Sequence, residues 1–89
     1  MNSVCPICKK ENNINTTYSN VVCRKCIALY GILNESGEES IEFCVKNEII
    51  YSKVNDLVSL KKECMILDVP CYAILSNNKL LFVKTVKIL

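Results

Sequence analysis

The sequence predicts an α+β fold. A small cysteine-framed module over residues 1–36 packs on a strand–helix–β-hairpin (βαββ) unit over residues 41–89, and the two make one compact domain. Three observations predict it. Four cysteines near the start fall into two close pairs, Cys5-Pro6-Ile7-Cys8 and Cys23-Arg24-Lys25-Cys26. A glutamate-rich stretch with Gly37, Asn34 to Ser40, separates two apolar-patterned regions. The later region changes from strand-like alternation to a helical period and back.

The elements follow in order. Residues 5–8 form a first knuckle. Lys9 to Thr17 is polar and Asn-rich, and predicts a turn or loose hairpin. Tyr18 to Val22 is a short strand delivering the second knuckle at 23–26. Ile27 to Leu33 follows at once with helical character, despite Gly31. Asn34 to Ser40 is the linker. Ile41 to Tyr51 alternates imperfectly and suits a strand. Ser52 suits a helix N-cap, with Asp56 in the following turn. Val54, Leu57, Val58, Leu60, Cys64, Met65 and Leu67 then share a broad helical face, against solvated Lys61, Lys62 and Glu63. Pro70 ends that helix. Cys71 to Leu75 and Leu80 to Val86 are strands of a hairpin with Asn77-Asn78 at its tip, because Asn tolerates positive φ. A crossover helix between 51 and 71 would make the first two strands of this unit parallel neighbours.

The cysteine frame is C-x2-C, x14, C-x2-C. Two intervening residues let both thiolates of a pair turn onto one ion, and two pairs complete a tetrahedral sulfur shell. The sequence therefore predicts one structural Zn2+ held by Cys5, Cys8, Cys23 and Cys26. A thioredoxin-type C-P-x-C would follow a strand and open a helix. Only four residues precede Cys5, and the polar run Lys9 to Asn15 follows. A secreted disulfide framework calls for an even cysteine count and a leader. The chain has seven cysteines, and Met1 to Val4 is neither basic nor apolar. The expectation is a reducing compartment, cytoplasmic or alternatively nuclear. Cys44, Cys64 and Cys71 are expected in the core, since free cysteine is among the most buried residue types and no histidine completes a second metal set.

Length and charge bound the function. A core of 89 residues is marginal, and metal is a common supplement. At 51% apolar residues the chain is too hydrophobic to be disordered. Its apolar runs fall short of the roughly twenty residues of a membrane span, so no membrane is expected. The net charge of +2 falls close to zero once four thiolates bind Zn2+, which disfavours coating nucleic acid by bulk charge. Residues 1–40 hold four basic and four acidic side chains, and residues 41–89 hold seven lysines against five acids. Catalysis has little support. The commonest general base is missing, a four-thiolate site leaves no place for an activated water, and there is no Gly-rich phosphate loop. No small-molecule substrate is expected.

Residues 18–30, Tyr18-Ser19-Asn20-Val21-Val22-Cys23-Arg24-Lys25-Cys26-Ile27-Ala28-Leu29-Tyr30, resemble the first zinc module of nuclear-receptor DNA-binding domains. Tyr18 stands five residues before the third ligand, and Leu29 and Tyr30 occupy positions three and four after the fourth. The stretch Cys26 to Tyr30 is similar to GATA-type fingers, and the knuckle spacing to certain ribosomal zinc ribbons. The resemblance covers about residues 5–33 and implies a treble clef or zinc ribbon. It does not extend to base reading. The helix after the fourth ligand offers Ile27, Ala28, Leu29, Tyr30, Gly31, Ile32 and Leu33, none of which makes the paired hydrogen bonds to guanine that Arg or Lys does. An apolar surface around most of a helix implies burial.

Lys9 and Lys10 after the first knuckle, with Arg24 and Lys25 inside the second, form a candidate basic rim for nucleic acid, offset by Glu11. Lys61 and Lys62 suit a solvated face. Lys84 and Lys87, three apart, point to opposite faces of an ideal strand. The aromatic residues suit core and strand positions as well as base stacking. The expected function is that of a non-enzymatic accessory factor docking on a large nucleic-acid machine. The ribosome comes first, with a regulatory or dormancy-type role. The alternatives are a protein-interaction module using the helix 27–33 or the strand 80–89, and a transcription-associated zinc-finger protein.

Overall fold

Period-two burial and two-residue turns organise most of the chain. The computed structural model describes residues 3–12, 18–54 and 56–85, with the side chain of Val54 excepted. Short strands β1 (Ser3–Val4) and β2 (Glu11–Asn12) precede the helix α1 (Arg24–Tyr30). Six further strands follow: β3 (Glu42–Lys46), β4 (Ile49–Val54), β5 (Leu57–Ser59), β6 (Glu63–Ile66), β7 (Val69–Ser76) and β8 (Lys79–Lys84). They form three antiparallel sheets, ordered β1-β2, β3-β4-β5 and β6-β7-β8. The protein is thus mostly β, where the sequence predicts α+β.

The helix expected from Ser52 to Leu67 is replaced by strands. Ser52 is no N-cap; it lies inside β4, buried, and its hydroxyl donates to the carbonyl of Ser59 at 3.3 Å. Leu57, Val58 and Leu60, expected on the buried helical face, are 74%, 60% and 64% exposed. Cys64 and Ile66 are the buried pair, two apart, which is strand spacing. The expected strand 41–51 splits at Asn47-Glu48 into β3 and β4. No parallel pair forms among the described strands, because two-residue turns connect neighbours directly.

Three such turns carry positive φ at both central residues: Asn47-Glu48, Leu67-Asp68 and Asn77-Asn78. This is the conformation whose twist matches a right-handed hairpin. Asn77-Asn78 closes β7 on β8, with Ser76 opposite Lys79, as the sequence predicts. The ends predicted to reach Thr17, Val86 and Leu89 lie outside the described residues, as does Lys87.

The sheet β6-β7-β8 is the platform. Both its edges are extended by single residues. Val21 bridges Val83 beside β8, and Leu33 bridges Met65 beside β6. Helix α1 connects residue 22 to residue 33, so it crosses from one sheet edge to the other. It stops at Tyr30 because Gly31 takes φ 75° and ψ 175°, a region open essentially to glycine alone. Pro70, expected as a helix stop, sits in β7 opposite Met65. Met65 turns its N–H and C=O away to Leu33, at 2.9 Å each, so no amide is required of Pro70.

One face of this sheet carries Cys64, Ile66, Cys71, Ala73 and Phe82, all buried in the core. Cys5, Val22 and Cys26 cover it from the knuckles, and Ile41 and Ile50 from the β3–β4 side. Phe43 meets Phe82 edge-on, with ring centroids 5.5 Å apart. Cys44, expected in the core, is exposed on β3. The expected linker 34–40 is an ordered loop. Leu33 bridges Ser40, and the Oδ1 of Asn34 accepts from Glu38 N–H at 2.9 Å and from Ser36 Oγ at 3.0 Å. No described helix is long and apolar enough to cross a membrane.

Candidate metal centre

The first knuckle is closed by its own backbone. Cys5 N–H donates to Lys10 C=O, and Lys9 N–H donates to Cys5 C=O, both at 2.9 Å. Lys9 takes φ 65° to complete this reversal. The strands β1 and β2 flank it, with Ser3 opposite Asn12 and Val4 opposite Glu11.

The second knuckle is positioned through Val21. On one side its neighbours bond to β8: Val22 N–H donates to Phe82 C=O at 2.8 Å, and Lys84 N–H donates to Asn20 C=O at 3.0 Å. On the other side two buried side chains take Val21's own polar groups. Ser3 Oγ accepts from its N–H at 2.8 Å, and Asn12 Nδ2 donates to its C=O at 2.6 Å. A buried backbone pair left without partners would cost a few kcal/mol, so Ser3 and Asn12 hold the two knuckles in register. Neither residue was singled out from the sequence. A lone Ser and a lone Asn carry no signal there, because their partner lies eighteen and nine positions away.

Cys23 then occupies the N-cap of α1 with extended backbone, and Cys26 lies in the helix facing the core. The four predicted ligands converge. The sulfurs of Cys5, Cys8, Cys23 and Cys26 all lie within 4.8 Å of one another. Cys5 and Cys26 sulfurs are 3.8 Å apart, and those of Cys8 and Cys23 are 3.7 Å apart. A tetrahedron with Zn–S bonds of ~2.3 Å has sulfur–sulfur edges of about 3.8 Å. The donor set and these two edges fit Zn2+.

The electrostatics agree with a cation site. Burial opposes ionisation of Cys5, but the N–H groups of Cys23, Cys8 and Ile7 aimed at its sulfur outweigh burial and bring its pKa down to about 6 from 9.0. Burial pushes Cys26 up to about 12, and the sulfurs of Cys23, Cys5 and Cys8 add to the shift. Cys5 is thus the more readily ionised sulfur and Cys26 the less, and a cation among the four would favour ionisation of both. Cys64 and Cys71 lie directly opposite each other beneath the cluster, buried and outside the four-sulfur group.

Lys9, Lys10, Arg24 and Lys25 are exposed around the knuckles. Among the described residues the ion pairs are Lys53–Asp56 and Lys61–Glu35, so none of these four is paired. The structure adds Lys79 and Lys84 to their surroundings. Arg24 and Lys79 line one hollow, and Lys9 and Lys84 line another. Only the pairing of β8 with residues 20–22 brings these lysines close, and nothing in the sequence announces that pairing.

Fold and cluster together define a small, mostly β protein with a four-cysteine cluster that could hold a metal ion. No protein-family model matches the chain, and neither does any curated protein or solved structure.

Proposed function

We propose that the chain is a non-enzymatic treble-clef zinc protein that docks on nucleic acid within a large nucleoprotein machine, the ribosome first. The observation that carries this reading is a tight four-sulfur cluster ringed by four exposed cations, Lys9, Lys10, Arg24 and Lys25, that have no acidic partner among the described residues. A knuckle, a short hairpin and a helix around the sulfurs support the treble-clef reading over an unstructured cysteine cluster. Four thiolates fill the coordination shell of Zn2+, so the metal stiffens the scaffold and leaves no open position for water. Its binding energy becomes folding energy, on the order of 10 kcal/mol. A cytoplasmic setting accommodates both the reduced thiols and the ribosome.

Co-sedimentation of the zinc-loaded protein with purified ribosomes over a salt series tests this. Four phosphate contacts give a slope of log K against log salt of about −3. Replacing Lys9, Lys10, Arg24 and Lys25 by Ala should abolish binding and leave zinc content at one per chain. Salt-insensitive binding that survives those changes would overturn the nucleic-acid reading. It would favour a protein partner on strand β5, whose Leu57 and Val58 are exposed.

A further inference from the structure

The outer edge of β8 is closed along only part of its length. The two-residue turn makes Ser76 and Lys79 a hydrogen-bonded pair, and along antiparallel strands such pairs alternate with pairs whose amides point away. Leu80 and Phe82, opposite Leu75 and Ala73, therefore turn their N–H and C=O groups away from β7. Two bonds fix this phase. Ala73 N–H points the other way, to Lys62 C=O at 2.9 Å, and Phe82 C=O accepts from Val22 N–H at 2.8 Å. After Val22 the chain leaves the edge, with Cys23 capping α1. Leu80 N–H, Leu80 C=O and Phe82 N–H then have no hydrogen-bond partner among the described residues.

A hollow of about 820 Å³ lies against this open stretch. Four consecutive residues, Lys79, Leu80, Leu81 and Phe82, line it. Their side chains alternate between the two faces of the sheet, so the hollow opens along the strand edge and not over one face. Arg24 and Ile27 of α1 line it as well. Ile27, Leu80 and Leu81 are part-exposed, whereas Arg24 and Lys79 are fully accessible and have no ion pair among the described residues.

Three kinds of group meet there. Leu80 C=O and Phe82 N–H are an acceptor and a donor two residues apart on one edge, which complements the neighbouring donor and acceptor on the edge of a nucleobase. The aliphatic side chains of Ile27 and Leu81 suit the flat faces of a ring. Arg24 and Lys79 suit a phosphate. A bare phosphate would leave the strand edge and the apolar walls unused, and a purely apolar ligand would leave the outward amides without partners. The volume lies within the roughly 300–1,000 Å³ of small-molecule sites.

We propose that this hollow is a site for one nucleotide. Leu80 C=O and Phe82 N–H bond the edge of its base, Ile27 and Leu81 flank the ring, and Arg24 and Lys79 hold its phosphate. The nucleotide is either a free monophosphate or one residue of an RNA chain. In the second case the site deepens the nucleic-acid reading above and rests on it.

The test is an amide proton–nitrogen NMR titration of the zinc-loaded full chain. The probes are adenosine monophosphate, adenosine, ribose phosphate and a phosphorylated adenosine trinucleotide. The monophosphate should shift the Leu80 and Phe82 amides downfield, with a dissociation constant of roughly 1 mM or below. Adenosine and ribose phosphate should each bind roughly tenfold or more weakly, since each lacks one set of contacts. Lys79→Gln should weaken the monophosphate roughly tenfold and leave adenosine binding unchanged. Zinc content and the remaining amide spectrum verify that variant's fold. The same shifts at lower concentration with the trinucleotide assign the site to a residue of an RNA chain, and the reverse order assigns it to a free nucleotide. Ribose phosphate binding as well as the monophosphate overturns the site, because the base would then contribute nothing. Leu80 and Phe82 amides that stay silent up to about 10 mM of every probe also overturn it. Neither result touches the docking reading, which ribosome co-sedimentation decides.

Discussion

The amide of Val22 donates to the carbonyl of Phe82 across 2.8 Å, and this bond makes the second knuckle an added edge of the C-terminal sheet. Phe82 in turn is buried against the face that carries Ala73 and Cys71. The four-cysteine cluster and the sheet packing are therefore joined through contiguous structure. The cluster has no independent domain beneath it, since Cys5 and Cys26 are part of the same core as Ile66 and Phe82.

Chelation should open that core. With zinc bound, iodoacetamide should modify exposed Cys44 readily, while Cys64 and Cys71, each 1% exposed, should react roughly a hundredfold more slowly. Removing the metal withdraws several kcal/mol of folding energy, and both should then become reactive. Mass spectrometry of the alkylated protein before and after chelation reads this directly. Protection of Cys64 that outlasts metal removal would show a sheet that folds without the cluster.

Alkaline pH should weaken the fold through the same face. Burial, with a smaller contribution from Cys71, pushes the Cys64 thiol from an ordinary 9.0 up to about 12. A pKa raised in the folded state means that the native protein holds the proton more tightly than the unfolded chain. The associated stability is whole below pH 9 and is lost as pH rises toward 12, at about 1.4 kcal/mol per pH unit. Cys64→Ala should cost about 1 kcal/mol at neutral pH by leaving a small void. Its disadvantage should shrink and then reverse as pH climbs. Urea denaturation of both proteins at increasing pH gives the comparison, and parallel curves would sink the assignment.

The turn at Leu67-Asp68 should be improvable. Leu67 takes φ 46°, where a branched aliphatic side chain crowds its own carbonyl at a cost of roughly 1–2 kcal/mol. Its side chain is 46% exposed, so little packing holds it there. Leu67→Asn keeps the positive φ at lower cost and should raise stability by about 1 kcal/mol in chemical denaturation. An unchanged midpoint would mean that Leu67 makes up the strain through contacts elsewhere.

That same turn explains why the middle of the chain was illegible. Asn77-Asn78 announces a hairpin by residue type, and the structure has one there. Leu67-Asp68 and Asn47-Glu48 carry little or no such signal, so two hairpins passed for one strand and one helix. The apolar residues Leu57, Val58 and Leu60 strengthened the error, because they supply a helical face yet stand exposed on or beside a three-residue strand. The four-cysteine cluster was legible because two closely spaced pairs can meet around one point whatever the fold between them. Lys79 and Lys84 were not, because their place beside Arg24 and Lys9 comes from pairing across more than fifty residues.

The loop after α1 should prove structural despite its linker-like composition. Asn34 Oδ1 accepts from Ser36 Oγ and from the amides of Glu38 and Glu39, and Asn34 N–H donates to Glu39 C=O at 2.7 Å. Those bonds fold residues 34–39 back so that Ser40 reaches Leu33, which in turn sits on the edge of β6 through Met65. Asn34→Ala removes the shared acceptor, leaving the amides of Glu38 and Glu39 to water because the loop is exposed. The expected cost is about 1 kcal/mol, since a solvated donor loses less than a buried one. Local opening should increase more than global unfolding, so limited proteolysis between Glu35 and Glu39 should accelerate severalfold while zinc content holds. Asn34→Asp, which keeps the acceptor, should cut at the wild-type rate. If the alanine and aspartate variants are cleaved alike, the side-chain oxygen is not what orders the loop.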